Sequence, residues 1–197
     1  ATQDSMDKVN DAESAEDLGI EWVTNLQARF DAAAGIYTYH SGVELTAKAS
    51  ELEALVGRYN DLPEENQKAA LQEVLDNKPE DGYSRSGNTI AAFETAIATQ
   101  EGIIEGAIDA ALDAVNEATT ADELKAAIEG NAAKLGLATD SESEYGKLKT
   151  YFGDRQRSVS VDLLANKPDA DGYNLATLQE YFNAIGTQGD SSFVLLI

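Results

Sequence analysis

The stretch Asn77-Lys78-Pro79-Glu80-Asp81-Gly82-Tyr83 returns as Asn166-Lys167-Pro168-Asp169-Ala170-Asp171-Gly172-Tyr173, with one residue more. Asn tolerates the conformations found at helix C-termini, Pro cannot continue a helix, and Gly opens a turn. Each copy therefore reads as a helix stop followed by a re-entry on Tyr. A second phrase recurs ahead of each stop: Val9-Asn10-Asp11-Ala12-Glu13-Ser14-Ala15-Glu16-Asp17-Leu18 returns as Val115-Asn116-Glu117-Ala118-Thr119-Thr120-Ala121-Asp122-Glu123-Leu124. A chain that repeats its punctuation in the same order reads as tandem copies of one supersecondary unit. The predicted fold class is all-α. It comprises two tandem helical-bundle units, residues 1–116 and 117–186, that share a long connecting helix. An apolar tail follows at 187–197.

Working outward, residues 1–6 are polar and predicted loose. Ser14 with Asp17 makes a capping box. Leu18, Trp22, Leu26 and Phe30 recur at helical spacing, which predicts a helix from Ala15 to Ala34 with Trp22 as a core anchor. Gly35 ends it. Ile36 to His40 alternates in strand fashion and, if ordered as such, would be a minor β element. Helices are predicted again from Val43 to Tyr59 and from Pro63 to the Asn77 stop. Asn88 is predicted to cap the long helix, whose stripe runs Ile90, Phe93, Ile97, Ile104, Ile108, Leu112 and Val115. Gly102 and Gly106 suggest a bend or a close helix approach within it. In the second copy Thr120-Ala121-Asp122-Glu123 is another capping box, and Asn174 caps the last helix. The distance from Val9 to Val115 is 106 residues and from Asn77 to Asn166 it is 89. The first copy is thus longer by 17, which an insertion near 35–50 supplies; such an insertion belongs on the surface.

The formal net charge is −22 in 197 residues, with 43% hydrophobic content. That hydrophobicity is enough for a core, and the charge repels nucleic-acid backbones and anionic membranes. The charge serves solubility, with cation binding or life in high salt as sharper readings. No apolar run is long enough to insert in a membrane. With no cysteine, disulfides, thiolate metal sites and a Cys nucleophile are excluded. The opening Ala1-Thr2-Gln3 suits an end left by signal-peptide cleavage or by trimming.

The residues offer little catalytic chemistry, so the chain is not expected to be an enzyme. No catalytic residues stand out. Paired carboxylates carry no specificity in so acidic a chain, and Ser158 and Ser160 lack a nucleophile-elbow context. Asp169 and Asp171 around Gly172 are a weak calcium candidate, but Leu178 falls where a calcium loop needs a bidentate Glu. No cofactor other than calcium is expected. Tyr37, Tyr39 and His40 on the insertion are the candidate binding surface. Phe193, Val194, Leu195, Leu196 and Ile197 are the candidate self-association segment, which either docks on the body or pairs with another chain.

The repeated phrases, "VNEATTADELKAAIE", "YNDLPEENQKAALQEVLDNKPEDGY" and the capped helix that follows, resemble helical repeats in surface proteins of Bacillus and Paenibacillus relatives. Those repeats often accompany S-layer homology domains, of which this chain has no recognisable copy. The resemblance implies a secreted, cell-surface location on a Gram-positive bacterium and a non-enzymatic structural role as spacer or self-associating element. The implied partner is the chain itself or another surface protein. A binding module for a cell-wall polymer or protein, acting through Tyr37–His40, is the alternative.

Overall fold

The computed structural model describes residues 3–19, 22–23, 44–83, 86–152, 155–168 and 172–187. Among them the fold is all-α, with no strand. The helices are α1 (Gln3–Asp11), α2 (Ala15–Leu18), α3 (Glu44–Asp61), α4 (Glu64–Asp76), α5 (Ser86–Glu117), α6 (Ala121–Asn131), α7 (Glu144–Phe152), α8 (Arg155–Ala165) and α9 (Leu175–Thr187). The chain divides into two compact units, Ala1–Ile103 and Ile104–Ile197, and the division falls inside α5.

In unit 1 the core forms around Phe93 of α5. Trp22 meets it edge-on with ring centroids 5.6 Å apart, and Tyr59 of α3 tilts against it at 5.3 Å. Leu18, Leu52, Leu71, Val74 and Ile97 are buried too, and α2 packs on α4. Of the positions that helical spacing predicted to face inward, Leu18, Trp22, Phe93 and Ile97 are buried. Trp22 is 1% exposed, as a core anchor should be.

In unit 2 the core gathers Val115, Leu124, Ile128, Leu135, Tyr145, Val159, Leu163, Tyr173, Leu178 and Phe182. Here α6 packs on α8, and α7 packs on both α8 and α9. Tyr145 tilts against Phe182 at 5.3 Å. Gly136, at φ +62°, turns the chain after α6 so that Leu135 and Leu137 both point inward; a left-handed residue there suits Gly.

Five local expectations need correction. The first is the capping box at Ser14: the Ser14 side chain accepts from the Asp17 N–H, but Asp17 does not return the bond to the Ser14 N–H as Glu123 does at Thr120. Residues 1–6 are not all loose, because α1 begins at Gln3. The helix expected from Ala15 to Ala34 is interrupted: Gly19 adopts φ +69° and closes α2 after one turn, and helix resumes by Trp22. The apolar spacing survives the break, which is why periodicity alone did not reveal it. Asn88 is not an N-cap, since α5 already starts at Ser86. Gly102 and Gly106 do not mark a close approach. Among the described residues, nothing lies within 4 Å of where a Cβ would stand on either.

Candidate functional site

The two Asn-Lys-Pro corners and the two Val-Asn phrases meet in space, once in each unit. Asn10, in the last turn of α1, accepts from the Tyr83 N–H at 2.7 Å and donates to the Tyr83 carbonyl at 3.0 Å. Asn116, in the last turn of α5, does the same for Tyr173 at 2.7 and 2.8 Å. One side-chain amide thus satisfies both main-chain groups of a buried tyrosine, as a rung of a sheet would. The Lys78 ammonium donates to the Asn10 carbonyl at 2.6 Å and reaches the Ala12 carbonyl at 3.5 Å. Lys167 binds the Asn116 and Ala118 carbonyls at 2.8 and 3.3 Å. Each lysine neutralises the carbonyl-rich end of a helix, where the dipole favours a cation.

The tyrosines close the arrangement. Tyr83 Oη donates to the Val74 carbonyl at 2.7 Å, and Tyr173 Oη to the Leu163 carbonyl at 2.8 Å. Both rings are buried, and burial pushes both hydroxyls above the ordinary tyrosine range, Asp162 adding to the shift at Tyr173. Asn77 and Asn166 each donate back to a carbonyl four residues earlier, at 2.9 and 2.8 Å, ending α4 and α8 alike. The glycines are required twice over. Gly82 (φ +74°) and Gly172 (φ +67°) sit in the left-handed region. A Cβ would also press on the Asn10 amide in one and overlap the Asn116 amide in the other. The extra residue in the second corner leaves both ends of this clasp in place.

Every polar group that the repeated phrases contribute to the clasp is bonded to main chain. The clasp has the chemistry of a joint between helix ends and corners. Among the described residues there is no group of three or more His, Asp or Glu that could hold a metal. No described helix is long and apolar enough to cross a membrane. Ser160 is buried and donates to the Gln156 carbonyl of its own helix at 3.4 Å. The binding candidates Tyr37, Tyr39 and His40, the calcium candidates Asp169 and Asp171, and the tail Phe193 to Ile197 all lie outside the described residues.

Val-Asn stands in both phrases, but local pattern gives Asn10 and Asn116 no role. The signal was there: Asn is a poor residue for a helix interior, and both copies retain it at the same place. Also unforeseen was the Arg58–Glu101 pair in unit 1, a bidentate contact at 2.9 and 2.6 Å between α3 and α5. It raises the Arg58 pKa and lowers that of Glu101, in both through the hydrogen bond first. It stands partly in solvent, so its contribution is small.

No family model matches the chain, and no solved structure matches it. The chain is similar to a gellan lyase of a Bacillus species, 32% identical over 145 residues. That match takes in 73% of this chain and 5% of the relative, so the chain spans about a twentieth of that protein's length.

Proposed function

We propose that the chain is a non-catalytic helical module of a much larger extracellular protein, built from two descendants of one helical block and serving as a spacer or packing element. The observation that carries this reading is the twice-built clasp, whose polar residues are all spent on joining helices. The lyase relative supports modularity, because so small a share of a long protein is the size of a part. In this reading the relative's lyase activity belongs to other regions, and this chain has none. A location on a Gram-positive cell surface fits both the resemblance of the repeats and the Bacillus source of the relative. Self-association would run through Phe193 to Ile197, with calcium able to bridge acidic faces.

A second reading is favoured by the relative's name: a polymer-binding module using Tyr37, Tyr39 and His40. The experiment separates these. Purified chain is incubated with gellan while viscosity is followed, sedimented with insoluble gellan, and measured by light scattering with and without calcium. The structural reading expects unchanged viscosity, no co-sedimentation and a mass above the monomer. A fall in viscosity proportional to protein concentration would overturn it. Co-sedimentation lost in Tyr37→Ala plus Tyr39→Ala would replace it with the binding reading. A strict monomer in both conditions removes self-association and leaves only the spacer.

A further inference from the structure

The chain holds the pair Asp-Gly twice, at Asp81-Gly82 and Asp171-Gly172, each time inside a corner, and Asn-Gly nowhere. Asp-Gly is the linkage most open to attack by its own main chain. Glycine has no side chain to shield its nitrogen, so that nitrogen can add to the carboxyl carbon of the aspartate before it. Water leaves and a five-membered succinimide forms. Water then opens the ring at one of its two carbonyls. Opening at the side-chain carbonyl restores aspartate. Opening at the main-chain carbonyl leaves isoaspartate, in which the chain runs through the β-carbon and is one atom longer. One water is lost and one regained, so the mass is unchanged and no oxidant or reductant takes part.

In unit 1 the two reacting groups are treated differently. Asp81 is exposed to water. The Gly82 N–H, which carries the attacking nitrogen, donates to the Pro79 carbonyl at 2.7 Å. Gly82 is held at φ +74°, and Tyr83 beyond it has both main-chain groups on Asn10 and its ring buried. Bringing the nitrogen onto the Asp81 carboxyl carbon requires the Asp81-Gly82 peptide to rotate, and the bonds on both sides of it resist. We propose that Asp81-Gly82 is a site of isoaspartate formation that the clasp keeps shut. Conversion follows local opening of the clasp. It also makes that opening permanent, because an extra chain atom between Pro79 and Tyr83 puts Tyr83 out of register with Asn10. This chemistry is independent of a spacer or polymer-binding role. In the second corner Asp171 lies outside the described residues, so the geometry applies to unit 1 alone.

The test warms the full chain at neutral pH and locates isoaspartate by peptide mapping. The isomer shifts in retention at unchanged mass and resists an aspartate-specific protease. The arms are the native chain, the chain unfolded in guanidinium, Asn10→Ala, and Asp81→Glu, whose longer side chain disfavours the ring. The unfolded chain should convert at position 81 at least ~10-fold faster than the native chain, since only opened molecules react. Asn10→Ala should also convert at least ~10-fold faster than native, because both bonds that hold Tyr83 are gone. Asp81→Glu should show no isomer there. In the native chain under rising, sub-denaturing guanidinium, conversion should climb in step with Tyr83 amide exchange, which decides the matter if Asn10→Ala does not fold. The proposal is overturned by equal rates in native and unfolded chain, or by no isoaspartate at position 81 in the unfolded chain. It is equally overturned by conversion that stays flat while Tyr83 exchange rises, or by a converted fraction whose Tyr83 amide is still protected.

Discussion

Asp17 and Glu123 stand at the same place in the two units, three residues past the N-caps Ser14 and Thr120, yet only Glu123 completes a capping box. It accepts from the N–H groups of Thr119 and Thr120 at 3.0 and 3.1 Å, which hold its carboxyl below the usual range. Asp17 is one methylene shorter and bonds the Ser14 hydroxyl at 2.8 Å. In unit 1 the help comes from a neighbouring helix: Gln72 of α4 accepts from the Ala15 N–H at 3.2 Å. The residue 89 positions on in unit 2 is Val161, which is left 46% exposed. The tyrosines on α3 and α7 differ in the same way. Tyr145 Oη has Glu129 at 3.4 Å, while Tyr59 Oη is buried without a hydrogen-bond partner among the described residues. Burial pushes the Tyr59 hydroxyl up to about 12. The lesson is that the surroundings of the two clasps differ while their bonds are the same, so the clasp is the feature the two units have in common.

The sharpest way to break the likeness lies in two glycines. Gly146 on α7 is buried, and a Cβ there would overlap the Asp140 carbonyl, which is main chain and cannot swing away. Gly57 on α3 is exposed, with nothing within 4 Å among the described residues. Gly146→Ala should cost ~3 kcal/mol or more in unit 2. Gly57→Ala should stabilise unit 1 by ~0.5–1 kcal/mol, by removing a flexible residue from a helix interior. Denaturant unfolding of each variant checks both signs.

The clasp glycines come next. Gly172→Ala combines a left-handed φ with overlap on the Asn116 amide, and should cost ~2–3 kcal/mol. Gly82→Ala meets the Asn10 amide at 3.0 Å and should cost less. Hydrogen exchange at the Tyr83 and Tyr173 amides would show which clasp opens.

How much of this was legible beforehand follows from which interactions are local. Caps and corners are written in consecutive residues, so Ser14, Thr120, Asn174 and the two Asn-Lys-Pro stops could be read directly. The Asn174 side chain does accept from the Thr177 N–H, at 2.9 Å. The clasp joins residues 73 positions apart in unit 1 and 57 in unit 2. No window of sequence shows that contact, and only the repetition of Val-Asn hinted at it. The break at Gly19 was hidden for the opposite reason, because a strong apolar rhythm continued across it. Of the candidate site, the sequence supplied the corners but pointed for function to stretches outside the described residues.

Smaller effects should track the tyrosines. Tyr83→Phe and Tyr173→Phe each leave a helix-end carbonyl unbonded and should cost ~1–2 kcal/mol. Because burial raises both hydroxyls, their contribution is full below the unfolded tyrosine value of about 10 and is lost as pH rises through the folded values. Thermal melts between neutral pH and strong alkali should therefore fall most steeply above pH ~10, and less steeply in the double Phe variant. Smallest is the cap: Thr120→Ala should cost ~1 kcal/mol and Ser14→Ala somewhat less, since Gln72 still holds the Ala15 N–H.

The most direct test compares Asn10→Ala with Asn116→Ala by equilibrium unfolding, with amide exchange read separately in residues 1–103 and 104–197. If each unit is held by its own copy of the clasp, each variant loses ~2–4 kcal/mol, because two bonds vanish and two buried main-chain groups are left bare. The loss should be similar in the two and confined to the variant's own unit. A loss below ~0.5 kcal/mol in either, the range of an ordinary surface change, would contradict the account.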